Sequence, residues 1–194
     1  MSNTNDKEIE IQVQIENYKD LFNFLKKEAK FISEEHQTDK YFSPSHRDFL
    51  RTKPVDEWLR LRDSSGKLTI NYKNWHHDKN GRSNFCDEYE TFVGNISDVE
   101  KIFKVLAINH VVTVDKVRKI YKYKSYEISI DSIKGLGDFV EIEYKGESAD
   151  VDPVKITKEM IQFLKDLNCG KILRNHVGYP FQLLFPKEIK FEEV

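Results

Sequence analysis

Near its amino terminus the chain alternates polar and aliphatic residues without a break, as Glu8-Ile9-Glu10-Ile11-Gln12-Val13-Gln14-Ile15. In extended backbone successive side chains point to opposite faces, so Glu8, Glu10 and Gln12 share one face and Ile9, Ile11, Val13 and Ile15 the other. Two carboxylates side by side repel each other unless cations or basic groups neutralise them. The pairing recurs as Glu88-Tyr89-Glu90 and Glu141-Ile142-Glu143, and in basic form as Arg60-Leu61-Arg62 and Lys116-Val117-Arg118, with Lys73 alone on another stretch. Such a chain builds a sheet with one charged and one aliphatic surface. What it leaves open is whether the charged surface faces water or a cavity.

Strands are expected over 6–15, 31–42, 85–93, 111–123, 126–131 and 138–145. Residues 57–63 and 67–75 read as a hairpin turning at Ser64-Ser65-Gly66. Residues 76–84 read as a polar loop. Three helices interrupt this pattern. Asn17, with Asp20 three residues on, caps the first, in which Tyr18, Leu21, Phe22, Leu25 and Ala29 keep helical spacing. Ser97 and Glu100 form a capping box for the second, striped by Val99, Ile102, Phe103 and Leu106. The third spans 157–167 and ends before Gly170, expected as its C-terminal cap. The apolar tail Tyr179–Phe185 is expected to dock on the body. Strands joined by short turns with a few helices indicate an antiparallel α+β fold, and 194 residues without a linker indicate one domain over 1–194.

The net charge of −2 offers no global attraction for nucleic acid or anionic lipid. The polar start and the lack of a long apolar run give no membrane segment and a cytoplasmic expectation. Cys86 and Cys169 lack metal-ligand spacing. His76-His77, with His36 and His110, lack the spacing of a zinc site and read as polar loop. Gly135-Leu136-Gly137 is a turn between strands, not a dinucleotide loop. Trp58 and Trp75 bracket the Arg-x-Arg hairpin and are expected on the exterior or at a mouth, where base stacking is an alternative.

The bland reading of the charged faces is a solvated sheet surface. Against it, the charges segregate by sign along the strands, Arg stands where bidentate geometry would matter, and three amphipathic helices need aliphatic strand faces to cover. Residue pattern alone leaves the two readings balanced. If the faces turn inward, Arg60, Arg62, Lys73, Lys116 and Arg118 match the charge of a triphosphate. The carboxylates opposite would then suit Mg²⁺ or Mn²⁺, and such an inventory suffices for phosphoryl or nucleotidyl transfer.

The ordered series Glu8-x-Glu10, Asp39-x-Tyr41-Phe42, Leu59-Arg60-Leu61-Arg62, Thr69 to Lys73, Glu88-Tyr89-Glu90, Asp115-Lys116-x-Arg118-x-x-Tyr121, Asp131 and Leu136 to Glu143 resembles the CYTH family of triphosphate tunnel enzymes. Tyr41-Phe42, Pro44, Arg47-Asp48-Phe49, Leu136-Gly137-Asp138-Phe139 and the Tyr179–Leu184 tail are similar to its class IV adenylate cyclase branch. The resemblance implies a closed antiparallel β-barrel of about eight strands with helices packed outside. It implies Glu8, Glu10, Glu141 and Glu143 as metal ligands for Mg²⁺ or Mn²⁺, and Arg60, Arg62, Lys73, Lys116 and Arg118 as the phosphate grip. Glu8, Glu10, Lys73, Lys116 and Asp131 become the catalytic set, with Asp131 near the metal side. The substrate is a nucleoside triphosphate or other organic triphosphate, with ATP conversion to cyclic AMP favoured. A thiamine triphosphatase or tripolyphosphatase reaction and a non-catalytic nucleotide or polyphosphate sensor are the alternatives, and related cyclases are compatible with a homodimer. Three positions depart from the family pattern: Gln12 stands where the family has Lys, Gln14 where a basic residue is common, and Cys86 where an Arg is often found.

Overall fold

The computed structural model describes residues 7–146 and 151–194; Asp6, where the first strand was expected to begin, lies outside them. The alternating first segment is split in two. β1 (Lys7–Glu8) and β2 (Glu10–Ile15) are separated by Ile9 alone, and α1 (Tyr18–Glu28) follows. Next come β3 (Lys30–Pro44), β4 (Glu57–Ser64), β5 (Lys67–His77), β6 (Ser83–Phe92) and α2 (Ile96–Val105). The chain continues through β7 (Ile108–Tyr123), β8 (Tyr126–Ile133), β9 (Gly137–Tyr144), α3 (Pro153–Asp166), β10 (Ile172–Arg174), α4 (Tyr179–Leu184) and β11 (Glu192–Glu193).

All the strands join one antiparallel sheet in the order β1-β6-β5-β4-β3-β7-β8-β9-β2-β10-β11. This corrects the expected closed barrel: the hydrogen-bond order has two ends, at β1 and β11. The physical reason lies at Ile9, where one short segment divides its pairing. Glu8 lies opposite Cys86 on β6, whereas Glu10 lies opposite Glu143 on β9. β10 and β11, short strands without a periodic signature, extend the sheet beyond β2. Because adjoining residues pair with strands remote in the order, the sheet is strongly curled and its charged face is concave.

The aliphatic face carries the helices. Ile9, Ile11, Val13 and Ile15 pack with Leu21 and Leu25 of α1, Met160 and Leu164 of α3, and Ile128, Val140 and Ile142 of the neighbouring strands. Phe103 of α2 packs with Phe42 and Leu61. α4 differs: its Tyr179 and Phe181 pack on the charged face, at one end of the cavity, with Trp58, Val114, Ile133 and Phe139, which alternate in register with Arg60, Lys116, Asp131 and Glu141. Fully burying aliphatic side chains of this size contributes about 1.5–3 kcal/mol each, which fixes which face of each strand is turned outward to the helices. The charged residues of the alternating pattern are left on the inner face.

Local chemistry explains the boundaries. Asn17 caps α1 as expected, accepting from the Lys19 N–H and donating to Asp20 at 2.7 Å. The cap of α2 is Asn95, accepting from Asp98 N–H, rather than Ser97, and Glu100 instead pairs with Lys40 at 2.7 Å. α3 starts earlier than expected because Asp152 caps it with Pro153 in its first turn. Past its end Asn168 (φ +54°) takes the left-handed position next to the helix, and Gly170, also left-handed at φ +71°, serves the following loop, where a Cβ would meet Glu16 at 2.8 Å. Ser65 and Gly66 both have positive φ, as a two-residue hairpin turn requires. β5 runs on to His77, shortening the expected loop. Among the described residues no helix is long and apolar enough to cross a membrane.

Candidate functional site

The concave face encloses a cavity of about 250 Å³. Glu8, Glu10, Arg60, Arg62, Lys73, Lys116, Arg118, Glu141 and Glu143 all line it, although they come from β1, β2, β4, β5, β7 and β9. Asp131 is the exception among the candidate residues. It is fully buried within the basic wall, opposite Arg118 across the β7–β8 ladder, and accepts from Arg118 Nε at 2.7 Å, Lys116 Nζ at 3.2 Å and the Tyr179 hydroxyl at 2.9 Å. Its polar partners are these basic side chains and Tyr179 rather than the carboxylates of the opposite wall.

The basic wall is built from two similar cross-strand units. Asp39 on β3 lies opposite Arg62 on β4 and accepts from its Nε and Nη2, both at 2.6 Å, with Arg60 Nη1 at 3.8 Å. Asp131 on β8 lies opposite Arg118 on β7 in the same way. One buried carboxylate thus orients two cations in each unit, while Arg60 Nη2 also donates to Glu90 at 3.3 Å and Arg118 Nη2 lies 2.8 Å from Glu141. Burial alone would raise both aspartates, but the adjoining guanidinium and ammonium groups hold them well below the usual carboxylate range. Lys116, 3% exposed, is lowered to about 8 by burial and the nearby Arg118, against the pull of Asp131.

The opposite wall is acidic. The β2–β9 register puts Glu10 beside Glu143 and Gln12 beside Glu141. Lys73 pairs with Glu8 and lies 3.7 Å from Glu10 and from Glu88. Burial would raise Glu8, but Lys73 and the Cys86 hydrogen bond outweigh it and hold Glu8 at about 2. Burial, with Glu8, Glu141 and Glu143 adding to it, pushes Glu10 well up despite Lys73. Burial and Glu8 raise Glu143 from 4.5 to about 7, only partly offset by Lys145. The wall therefore carries more negative charge than its own cations neutralise.

This imbalance has a pH consequence. A carboxyl that titrates higher in the folded than in the unfolded chain favours folding less as pH rises. The Glu143 contribution is therefore present below pH 4.5 and is lost as pH rises toward about 7. In Glu143→Gln, the stability measured by urea unfolding without ligand is expected to fall less over that interval than in the wild type. Parallel curves would remove Glu143 from the charged cluster.

The departures from the expected pattern have definite surroundings. Gln12 lines the cavity and its Oε1 accepts from Nε2 of Gln182, buried on α4, at 2.9 Å. Among the described residues its own amide N–H₂ has no hydrogen-bond partner. Gln14 lies opposite Leu173 and does not line the cavity. The Cys86 thiol donates to Glu8 Oε2 at 3.0 Å, and burial pushes its pKa far up, so it acts as a neutral donor. His76 and His77, expected in a polar loop, end strand β5 instead and face Asp87 and Asp56 at 2.7 and 2.8 Å.

Several cavity residues were not assigned roles from sequence. Glu88 and Glu90 were visible as a pair, whereas Asn71, Lys145 and Tyr179 carried no periodic signal. Trp58 and Trp75 line the cavity rather than the exterior. Among the described residues no three His, Cys, Asp or Glu side chains are disposed to hold a metal ion. The donor set on the acidic wall, all oxygen and under-neutralised, nonetheless fits a hard divalent cation. Mg²⁺ commonly takes one or two carboxylates and completes its shell with water and substrate phosphate.

The model of the CYTH domain family matches residues 6–172 of this chain. Over 165 residues the chain is 38% identical to the protein named "Putative adenylate cyclase MJ0240" of Methanocaldococcus jannaschii, covering 84% of this chain and 91% of that one. The structure of the PH1819 protein from Pyrococcus horikoshii superposes with a TM-score of 0.74 at 25% identity, covering 92% of this chain and 99% of that one. The Hippeastrum protein HpAC1, described with a dominant triphosphatase activity, shares the fold at a TM-score of 0.64 and 17% identity, covering 94% and 100% of the two chains. On the family match and the archaeal relative together, this chain belongs to the CYTH domain family.

Proposed function

We propose that this protein is a metal-dependent enzyme that binds a nucleoside triphosphate in the curled sheet and converts ATP to 3′,5′-cyclic AMP and pyrophosphate. One observation carries the reading: Arg60, Arg62, Lys116 and Arg118 converge on a cavity whose opposite wall is carboxylate. Forked guanidinium groups donate to pairs of phosphate oxygens, and their buried aspartates fix them before the ligand arrives. Lys73 adds a compact charge between the two walls.

Mg²⁺ or Mn²⁺ would be held by Glu10 and Glu141, with Glu8 and Glu143 beside them, and would neutralise charge on the phosphate oxygens. In the cyclase reaction the ribose 3′-hydroxyl attacks the α-phosphorus and pyrophosphate leaves, held by the basic wall. The relative named as an adenylate cyclase supports this choice of reaction.

Incubating purified protein with ATP and Mn²⁺ and separating the products by chromatography tests the proposal. Cyclic AMP with pyrophosphate supports it. Free phosphate would replace it with hydrolysis, and unchanged ATP with measurable binding would replace it with a sensor. Gln12 bears on the same question, because Gln12→Lys would set an ammonium beside the phosphate site in place of the Gln182-anchored amide. Its expected effect is tighter triphosphate binding by roughly one to two orders of magnitude, from a charged hydrogen bond. Calorimetric titration with ATP and with tripolyphosphate, Mg²⁺ present, checks it. No gain for either ligand would place Gln12 away from the phosphates.

A further inference from the structure

Arg174, the last residue of β10, is 6% exposed and lines a smaller recess that opens beside the phosphate cavity and shares Glu10, Gln12, Trp58 and Trp75 with it. Among the described residues its guanidinium has no ion-pair or side-chain hydrogen-bond partner, unlike the arginines of the basic wall. The acid across the strand ladder, Glu192, is turned elsewhere: Oε1 faces His176 Nε2 and Oε2 accepts from Arg82 Nη2, both at 2.8 Å. Burial, with Arg82 nearby, lowers Arg174 to about 10 even though Glu192 and Glu10 support its charge.

An unpaired buried guanidinium is costly to keep, and any apolar side chain of similar length would fill its place more favourably. The recess around it has two kinds of wall. Trp58, Trp75 and Phe181 offer aromatic surface, and Arg174 and the Gln12 amide offer hydrogen-bond donors. A ligand part seated there is therefore partly apolar and presents acceptor atoms. In a nucleoside triphosphate whose phosphates lie against Arg60, Arg62, Lys116 and Arg118, the recess, about 30 Å³, admits an edge of the sugar or the base.

We propose that Arg174 is a specificity-determining residue that donates to an acceptor atom on the nucleoside part of the substrate, so that the recess separates nucleotides from inorganic polyphosphate. The inference rests on the triphosphate reading of the main cavity and adds where the organic end lies. A ribose oxygen and a purine ring nitrogen are the two sources of such an acceptor.

Calorimetric titration with ATP and with tripolyphosphate, Mg²⁺ present, decides it for the wild type, Arg174→Met and Arg174→Lys. Arg174→Met keeps the length of the side chain and removes an unpaired charge, so its thermal midpoint is expected to hold or rise. ATP affinity should drop about tenfold or more in Arg174→Met while tripolyphosphate affinity stays within about twofold. Arg174→Lys should recover part of the loss, and it carries the test if the Met variant fails to fold. Repeating the comparison with 2′-deoxy-ATP and with 7-deaza-ATP locates the acceptor, since the effect of the variant shrinks for the analogue that lacks it. Equal losses for ATP and tripolyphosphate would make Arg174 a phosphate contact and overturn the proposal, as would no loss for either. Wild-type protein that binds neither ligand would overturn the triphosphate reading and this inference together. Binding of both without discrimination by the variants would overturn this inference alone.

Discussion

Replacing Asp131 with Asn is expected to lower stability by about 3–5 kcal/mol, the cost of removing one partner from a buried charge cluster. The side chain is fully buried and accepts from Lys116, Arg118 and Tyr179. Asn preserves the volume but not the charge, so the effect isolates electrostatics from packing. Arg118 would retain Glu141 at 2.8 Å, whereas Lys116 would lose its only carboxylate within ion-pair distance among the described residues. Urea unfolding at neutral pH measures the loss. A triphosphate that binds the same cations should restore part of it, because a ligand bound only by the folded state stabilises by mass action. A loss under about 0.5 kcal/mol, the range of ordinary surface substitutions, would contradict the anchoring role.

Glu10→Gln is expected to reduce turnover by two orders of magnitude or more, on the scale of losing one preorganised electrostatic group, while the ligand-free fold stays as stable or becomes more so. Burial and three neighbouring carboxylates already push Glu10 toward its protonated form, and a neutral amide imitates that form. A divalent cation competes with protons for a carboxylate raised in this way, so its binding should release protons that buffer-dependent calorimetry detects. In Glu10→Gln that release should shrink. Turnover unchanged by the substitution would remove Glu10 from the metal assignment. A marked drop in stability would show that its charge supports the fold instead.

The strands were legible because their period of two is a local property. Leu59, Leu61 and Ile142 mark the outer face from sequence alone, and Arg60, Arg62 and Glu141 then fall on the other. The two caps that sequence misplaced, Ser97 for Asn95 and Gly170 at the end of α3, and the late start expected for α3 differ by a few residues. Several polar residues there could cap, and tertiary packing selects among them. The role of Asp39 was not legible. Its partner Arg62 is 23 residues away, and only the β3–β4 register brings them face to face.

By itself, then, the alternation of charge and aliphatic residues determined that a two-faced antiparallel sheet would form, and which side chains would share its charged face. Tertiary structure decided what that face encloses. Helices α1, α2 and α3 cover the aliphatic side because burying it is the larger gain in free energy, and this turns the charges inward. The same packing moves Asp131 from the cavity into its basic wall, divides the pairing of the first segment at Ile9, and brings Arg174 beside Glu10 from 164 residues away in the chain. None of these follows from local periodicity, because each depends on contacts between segments far apart in sequence.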